Sequence, residues 1–386
     1  MQDLRLGIIG LGNMGQFHAN AIAAGKIAHC QLAAVCDRDE RQLGRYLPAR
    51  GFLSSSELIN SGEVDATLIA TPHYSHTTIG IEALGSGLHV LIEKPLSVHK
   101  ADCERLLAAH RGSKQVFATM FNQRTDPFYL KLREMIRNDE LGTIRRINWI
   151  VTHWFRTAMY YASSGWRATW AGEGGGVLLN QSPHQLDLWQ WLFGMPSKVR
   201  AFCQFGRYHD IEVEDDVTAY FEYDNGTTGV LITSTGEAPG TDRLEIAAER
   251  GRVIIENDRF HWTRNEVPMS EFSEQSPDGF AKPATSEMEI PLAGRGGQHN
   301  EVLQNFVDAI LFGERLIAPA EEGIHSVELA NAMLFSSDTD TTVSLPLNAG
   351  LFERWLSDKI KNSSFRKADV RASNGDLADF SKSFER

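Results

Sequence analysis

Cysteine is scarce in this chain. Its four residues, Cys30, Cys36, Cys103 and Cys203, lie far apart with no Cys-x-x-Cys pair. That spacing excludes a zinc ribbon and a secreted disulfide framework. No apolar run approaches the roughly 18 residues of a membrane span. Basic charge is short as well: 38 Lys and Arg against 50 Asp and Glu leave a net charge of −12 at pH 7. A surplus of that sign argues against nucleic acid or an anionic membrane as partner, because both need clustered Lys and Arg. Internal repeats and low-complexity segments are missing too. What is present is a globular mixture, 42% apolar and 23% charged, unlike a disordered chain. At about 150 residues per domain, the length suits two or three domains. The strand-like run Leu4–Ile9 begins almost at once, so no signal peptide and a cytoplasmic location are expected.

The first 120 residues alternate two periods. Short apolar runs at Leu4–Ile9, Leu32–Cys36, Ala66–Ala70, Val90–Ile92 and Val116–Thr119 are separated by helix-like segments at Gln16–Ala24, Glu57–Asn60, Thr77–Ser86 and Lys100–His110. That alternation predicts a parallel, doubly wound sheet with helices on both faces. After Asn122 the period becomes two, at Ile147–Val151, Val199–Phe205 and Val217–Tyr223. Asn225-Gly226 predicts a type I′ hairpin into Thr227–Ser234. A second hairpin is expected around Gly251. Residues 257–297 are polar and weakly periodic, and read as long loops. Asn300–Phe312 and Ser326–Ser336 read as helices, and the polar tail from Ser363 is expected to fray or lie on a partner. The fold class is therefore α/β. A Rossmann-type domain spans 1–122, an α+β domain with a large, mostly antiparallel sheet spans 123–347, and a tail covers 348–386.

Gly10-Leu11-Gly12-Asn13-Met14-Gly15 follows the first strand and opens the first helix. Gly10 permits the turn, Gly12 lets a pyrophosphate approach the backbone, and Gly15 lets the helix pack on the sheet. Asp37 ends the second strand 22 residues later, where a carboxylate accepts from a ribose 2′-hydroxyl. The same charge repels the 2′-phosphate of NADP and favours NAD. Arg38 can pair with that phosphate or stack on adenine, so NADP stays open. Two further loops leave strand ends, Thr71-Pro72-His73-Tyr74-Ser75-His76 and Glu93-Lys94-Pro95. Lys94 should point into the cleft. His73 and His76 fit loop or cofactor contacts better than metal ligation, since no third ligand is evident.

In the second half, Gly174-Gly175-Gly176 leads to Asn180 and then to Ser182-Pro183-His184-Gln185. The last four match a capping box with Pro at the first helical position. His184 then sits in the first turn, where the macrodipole keeps an imidazole neutral, as a general base requires. Asp187, three residues on, can orient His184 or merely solvate the helix. Upstream, His153-Trp154-Phe155-Arg156, Tyr160-Tyr161 and Trp166-Arg167 interleave aromatics with arginine. Such rings stack on the CH faces of sugars while polar edges bind hydroxyls, which marks a polyol-binding surface. The acidic run Asp210, Glu212, Glu214, Asp215 and Asp216 reads as a solvated strand entry rather than a metal site, and no metal is expected.

The glycine motif, Ala70-Thr71-Pro72, Glu93-Lys94-Pro95, the triple glycine with His184 and Asp187, and Leu345-Pro346-Leu347 occur in that order. Together they resemble the glucose–fructose oxidoreductase/inositol dehydrogenase/MocA-like family from Leu4 to Leu347. The resemblance implies nicotinamide-dependent oxidation or reduction of sugars, inositols or related polyols. It also implies an open-faced sheet that mediates homodimers or homotetramers. Lys94 matches the family's catalytic lysine, with a cis bond to Pro95, and His184 its proton-transfer histidine. Asn180 stands where many members have Asp, and an amide cannot stabilise an imidazolium as a carboxylate does. Arg124 matches a position that lines the substrate cleft. The expected cofactor contacts are Gly10, Gly12, Asn13, Met14, Gly15, Asp37, Arg38, Thr71, Pro72, His73, His76, Glu93, Lys94 and Asn122. The expected substrate contacts are Lys94, Arg124, His153, Trp154, Arg156, Tyr160, Trp166, Arg167, Asn180, His184 and Asp187. Two other chemistries remain open: a glycosidase or lyase that oxidises transiently and regenerates its NAD, and a nicotinamide-binding sensor without turnover.

Overall fold

A computed structural model describes residues 3–367. Six strands, β1 (Leu4–Ile9), β2 (Cys30–Cys36), β3 (Arg50–Phe52), β4 (Ala66–Ile69), β5 (His89–Ile92) and β6 (Phe117–Thr119), form one sheet in the order β3-β2-β1-β4-β5-β6. Every pair is parallel. β4 and β6 are buried throughout, as a sheet covered on both faces requires, and this explains their unbroken apolar runs. The strand order reverses between β1 and β4. The loops after those two strands therefore open a crevice at their carboxyl ends, where α/β sheets take ligands.

The second sheet has nine strands: β7 (Ile144–Val151), β8 (Lys198–Phe205), β9 (Glu214–Glu222), β10 (Thr228–Ser234), β11 (Asp242–Ala248), β12 (Gly251–Glu256), β13 (Arg259–Asn265), β14 (Thr285–Ile290) and β15 (Val343–Ser344). Their order is β14-β13-β12-β11-β7-β10-β9-β8-β15, antiparallel except for the parallel pair of β7 and β10. One face packs under helices, with Trp149 stacked on Trp189 and Trp189 against Phe221. Side chains on the other face stay open, Phe202 at 57% and Tyr220 at 41% exposure.

Residues 257–297 are not simply loops. They hold β13, a helix at Met269–Gln275 and β14. β14, at the sheet edge, buries no side chain and carries Glu287 and Glu289, and β13 beside it buries only Phe260 and Trp262, so their apolar signal is weak. Asn257 and Asp258 both take positive φ, which makes this the type I′ turn of the sheet. At Asn225-Gly226 only Gly226 has positive φ. The Tyr223 carbonyl accepts from Gly226 N–H and Tyr223 N–H donates to Thr227. That is the three-residue loop ending in a glycine bulge, not the two-residue form. The helix Pro127–Arg137, which the sequence reading lacks, starts at Asp126, whose side chain accepts from Phe128 N–H. Residues 349–362 are a helix anchored by buried Phe352 and Leu356 rather than a tail. The expected fraying beyond Ser363 falls mostly outside the described residues. The helix Gln298–Phe312 returns to the first sheet, where Val302, Leu303, Phe306 and Val307 share a core with Leu6 and Ile8. The parallel sheet's core is therefore built from two stretches of chain.

Candidate active site

β1 delivers Gly10 to the crevice at φ +94°, and the helix Asn13–Ala23 starts at once with no side chain capping its first N–H groups. A Cβ at Gly15 would lie 1.8 Å from the Gly10 carbonyl oxygen, whereas one at Gly12 would meet nothing within 4 Å. Helix and loop therefore touch at Gly15, and open space faces the helix start at Gly12, Asn13 and Met14. Uncapped N–H groups and a positive helix end beside that space fit a pyrophosphate. Asp37 accepts from Leu11 N–H at 2.7 Å and Asp39 N–H at 2.9 Å, which fixes its carboxylate beside the glycine loop. Arg38 follows at an exposed position. Thr71 Oγ1 and Asn122 Oδ1 are buried without hydrogen-bond partners. Together these groups fit a nicotinamide dinucleotide.

Three expected cofactor residues face elsewhere. Both ring nitrogens of His76 lie 2.9 Å from main-chain carbonyls, of Thr71 and Pro95, so this histidine ties the two loops together. Glu93 turns to His18, at 2.7 Å. Burial would raise the Glu93 pKa, but the hydrogen bond and charge of His18, with His299 and Lys94, hold it down at about 2. His73 packs edge-on against Trp166, with Nδ1 3.4 Å from the Glu173 carbonyl, and belongs to the joint between the sheets.

Lys94 follows β5, joined to Pro95 by a cis bond. Its Nζ donates to the Asn180 carbonyl at 2.7 Å. Burial, helped by Arg167 and Arg156 and opposed by Glu93 and Glu173, lowers its pKa to about 8. His184 lies in the first turn of the helix Pro183–Phe193, buried, with Nδ1 unpartnered. Burial first, then the charges of Lys94 and His299, push its pKa well below the usual imidazole value. A neutral imidazole therefore lies within the field of the Lys94 ammonium.

The capping box does not form. Ser182 is itself helical (φ −82°, ψ −4°) because the turn Val177–Asn180 runs into this helix. Its hydroxyl pairs with Thr233 at 2.9 Å, and Gln185 donates to Gln123. Asp187 does not orient His184, and Arg124 does not line the cleft. Arg124 Nε and Nη2 donate to the two Asp187 oxygens at 2.7 and 2.6 Å, with both side chains fully buried. Arg124 Nη1 turns to Glu322 and the Ile317 carbonyl. Trp154 is buried in the core of the second sheet, with the His153 ring packed on it and near Asp242. Tyr160, Arg167 and Asn180 instead gather in one cluster beside Lys94.

That cluster centres on Asn180. Its Oδ1 accepts from Tyr160 Oη at 3.1 Å and Gln181 Nε2 at 3.2 Å, and its Nδ2 donates to Glu173. Arg167 Nη1 donates to Tyr160 Oη at 2.6 Å. Glu173, absent from the sequence reading, is the carboxylate that Asn180 lacks, one hydrogen bond further out. Its only sequence signal is an acid set among the glycines that place it. Burial raises its pKa, against Arg167, the Ala168 N–H and Asn180. Of the acidic run, Glu214 and Asp215 are buried rather than solvated, whereas Asp210 is exposed. Glu214 accepts from Gly176 and Leu178 N–H and so caps the turn that carries Asn180. Asp215 accepts from three successive N–H groups at Arg207–His209.

Residues 4–121 match the oxidoreductase family with an NAD-binding Rossmann fold, and residues 129–254 match the GFO/IDH/MocA C-terminal domain. Myo-inositol 2-dehydrogenase of Thermotoga maritima is 25% identical over 66% of this chain and 76% of its own length. Inositol 2-dehydrogenase 2 of Saccharopolyspora erythraea is 25% identical over 89% and 96%. Among solved structures, the WlbA dehydrogenase of Chromobacterium violaceum, in complex with NADH and UDP-GlcNAcA, superposes with a TM-score of 0.78 at 26% identity, over 90% of this chain and 97% of that one. Levoglucosan dehydrogenase, in complex with NADH and levoglucosan, shares the fold with a TM-score of 0.75 at 20% identity, over 90% and 100%.

Proposed function

Since the chain belongs to the GFO/IDH/MocA family of NAD-binding oxidoreductases, we propose that it transfers a hydride between nicotinamide and a secondary hydroxyl of a sugar, inositol or related polyol. The observation that carries this reading is the pair of Lys94, whose Nζ donates to the Asn180 carbonyl at 2.7 Å, and His184, buried four residues further along the chain with Nδ1 unpartnered. When bound, NAD supplies the hydride acceptor. The glycine loop, the open helix start and Asp37 would hold it, and the Asp37 carboxylate favours NAD over NADP. His184 takes the proton of the reacting hydroxyl. Lys94 donates to the same oxygen and stabilises its developing negative charge. Asn180 positions Lys94 through its carbonyl and holds Tyr160 through its side chain, with Glu173 behind it. Arg156, Tyr160, Trp166 and Arg167 supply the wall against which the sugar lies. The same reading takes the open face of the nine-stranded sheet, with Phe202 and Tyr220, as the surface on which copies pair as homodimers or homotetramers.

The test is NADH or NADPH formation by purified protein with NAD or NADP against inositols, free sugars and glycosides, with products followed by chromatography. Reduced cofactor accumulating with one substrate class supports the dehydrogenase. Cleaved product without NADH moves the chemistry to transient oxidation. NADH binding with no reaction across the panel contradicts a catalytic role on these substrates.

A further inference from the structure

Two guanidinium groups stand in the cleft wall without an anion. Arg156 and Arg167 flank the helix Ala158–Ala162 and close on one ring, with guanidinium carbons 5.2 and 4.6 Å from the centre of Tyr160. Arg167 donates to the Tyr160 hydroxyl, and its guanidinium carbon also lies 5.0 Å from the centre of the Trp166 ring. Arg156 donates to its neighbour's carbonyl at 3.1 Å, and its Nε is buried without an acceptor. Among the described residues, neither guanidinium has a carboxylate at ion-pair distance, although the chain as a whole carries −12.

Further positive charge gathers around them, with Glu173 the carboxylate in the field of Arg167. Lys94 lies in the same field, since both arginines depress its pKa. Lys367 reaches in to donate to the Arg167 carbonyl. The nearby carboxylates are committed: Glu173 to Asn180 Nδ2 and Ala168 N–H, Glu93 to His18. Charges in a partly dry site repel unless an opposite charge is present. A planar guanidinium matches a carboxylate or phosphate edge through two parallel hydrogen bonds. Extra hydroxyl groups on a neutral sugar would not require two such cations.

We infer that the sugar taken by this site carries an anionic group, a carboxylate or a phosphate, which docks between Arg156 and Arg167 while a hydroxyl of the same molecule reaches Lys94 and His184. Tyr160 and Asn180 set the distance between the two ends, because one hydrogen-bonded chain runs from Arg167 through Tyr160 and Asn180 to Lys94. The inference rests on the dehydrogenase reading for which end reacts, but not for the binding of the anion.

The experiment measures binding to the full chain loaded with NADH, and NAD-dependent turnover of the same compounds. The sets are D-glucose, D-glucuronate and D-glucose 6-phosphate, and the corresponding galactose compounds. The expected result is that an anionic member binds about tenfold or more tightly than its neutral parent, and which anion does so separates carboxylate from phosphate. Arg156→Gln and Arg167→Gln should each abolish most of that preference with NADH affinity unchanged, and Arg167→Lys should keep part of it. Equal affinity within every set, including no binding by any member, overturns the inference. So does an arginine variant that weakens neutral and anionic sugars alike. Arginine-dependent binding of the anionic sugars with no NADH formed would leave the inference standing and count against the dehydrogenase reading.

Discussion

Asp187→Asn should cost stability rather than substrate affinity. Arg124 and Asp187 are fully buried and joined by two parallel hydrogen bonds of 2.6 and 2.7 Å. The substitution removes the negative charge and leaves the guanidinium buried with Glu322 and the Ile317 carbonyl. Breaking such a pair from one side costs about 3–5 kcal/mol, and the surviving Glu322 contact sets the expectation near ~3 kcal/mol. At roughly 2–4 °C per kcal/mol for a unit of this size, the unfolding midpoint drops by about 6–12 °C. Replacing both partners, Arg124→Met with Asp187→Leu, leaves no lone charge in the core, since Glu322 is partly exposed, and should recover a large part of that loss. The assays are thermal unfolding followed by tryptophan fluorescence, NADH binding, and the KM for the sugar. An unchanged midpoint with KM raised tenfold or more would refute the argument and return both residues to the substrate.

Gly15→Ala places a Cβ 1.8 Å from the Gly10 carbonyl oxygen. It should abolish NADH binding, read by fluorescence titration, while circular dichroism stays close to wild type. Lys94, held at about 8 by burial, must keep its proton to donate to the reacting oxygen. The ratio kcat/KM should therefore fall as pH rises through about 8, and Lys94→Arg should remove that alkaline limb at the expense of rate. Glu173 raises the Lys94 pKa. Glu173→Gln should move the alkaline limb of kcat/KM below 8, an effect that a purely structural carboxylate would not produce.

Much of this was legible in the chain. Continuous apolar runs in β1, β4 and β5 and the glycine loop after β1 are local signals, and the parallel sheet follows from them. Lys94 stands out in the sequence because a strand and a proline fix it, and His184 because Pro183 marks a helix start. What stayed hidden depends on partners remote in sequence. Nothing near Arg124 says that Asp187, 63 residues away, will take its charge. Nor does the acidic run show that Glu214 will be buried against Gly176 and Leu178 N–H. The capping box failed because the preceding turn supplies a helical Ser182, which a four-residue motif cannot reveal. β14 was missed because an edge strand buries too little to alternate cleanly, and β13 because Phe260 and Trp262 alone mark its buried face.

The central claim is that His184 moves the hydroxyl proton in an NAD-dependent oxidation. The direct measurement is the turnover of His184→Ala beside its affinity for NADH. The account predicts that kcat falls by about 10²–10⁴ while the NADH dissociation constant stays close to wild type. Undiminished kcat, or a loss of NADH affinity as large as the loss of turnover, would contradict it.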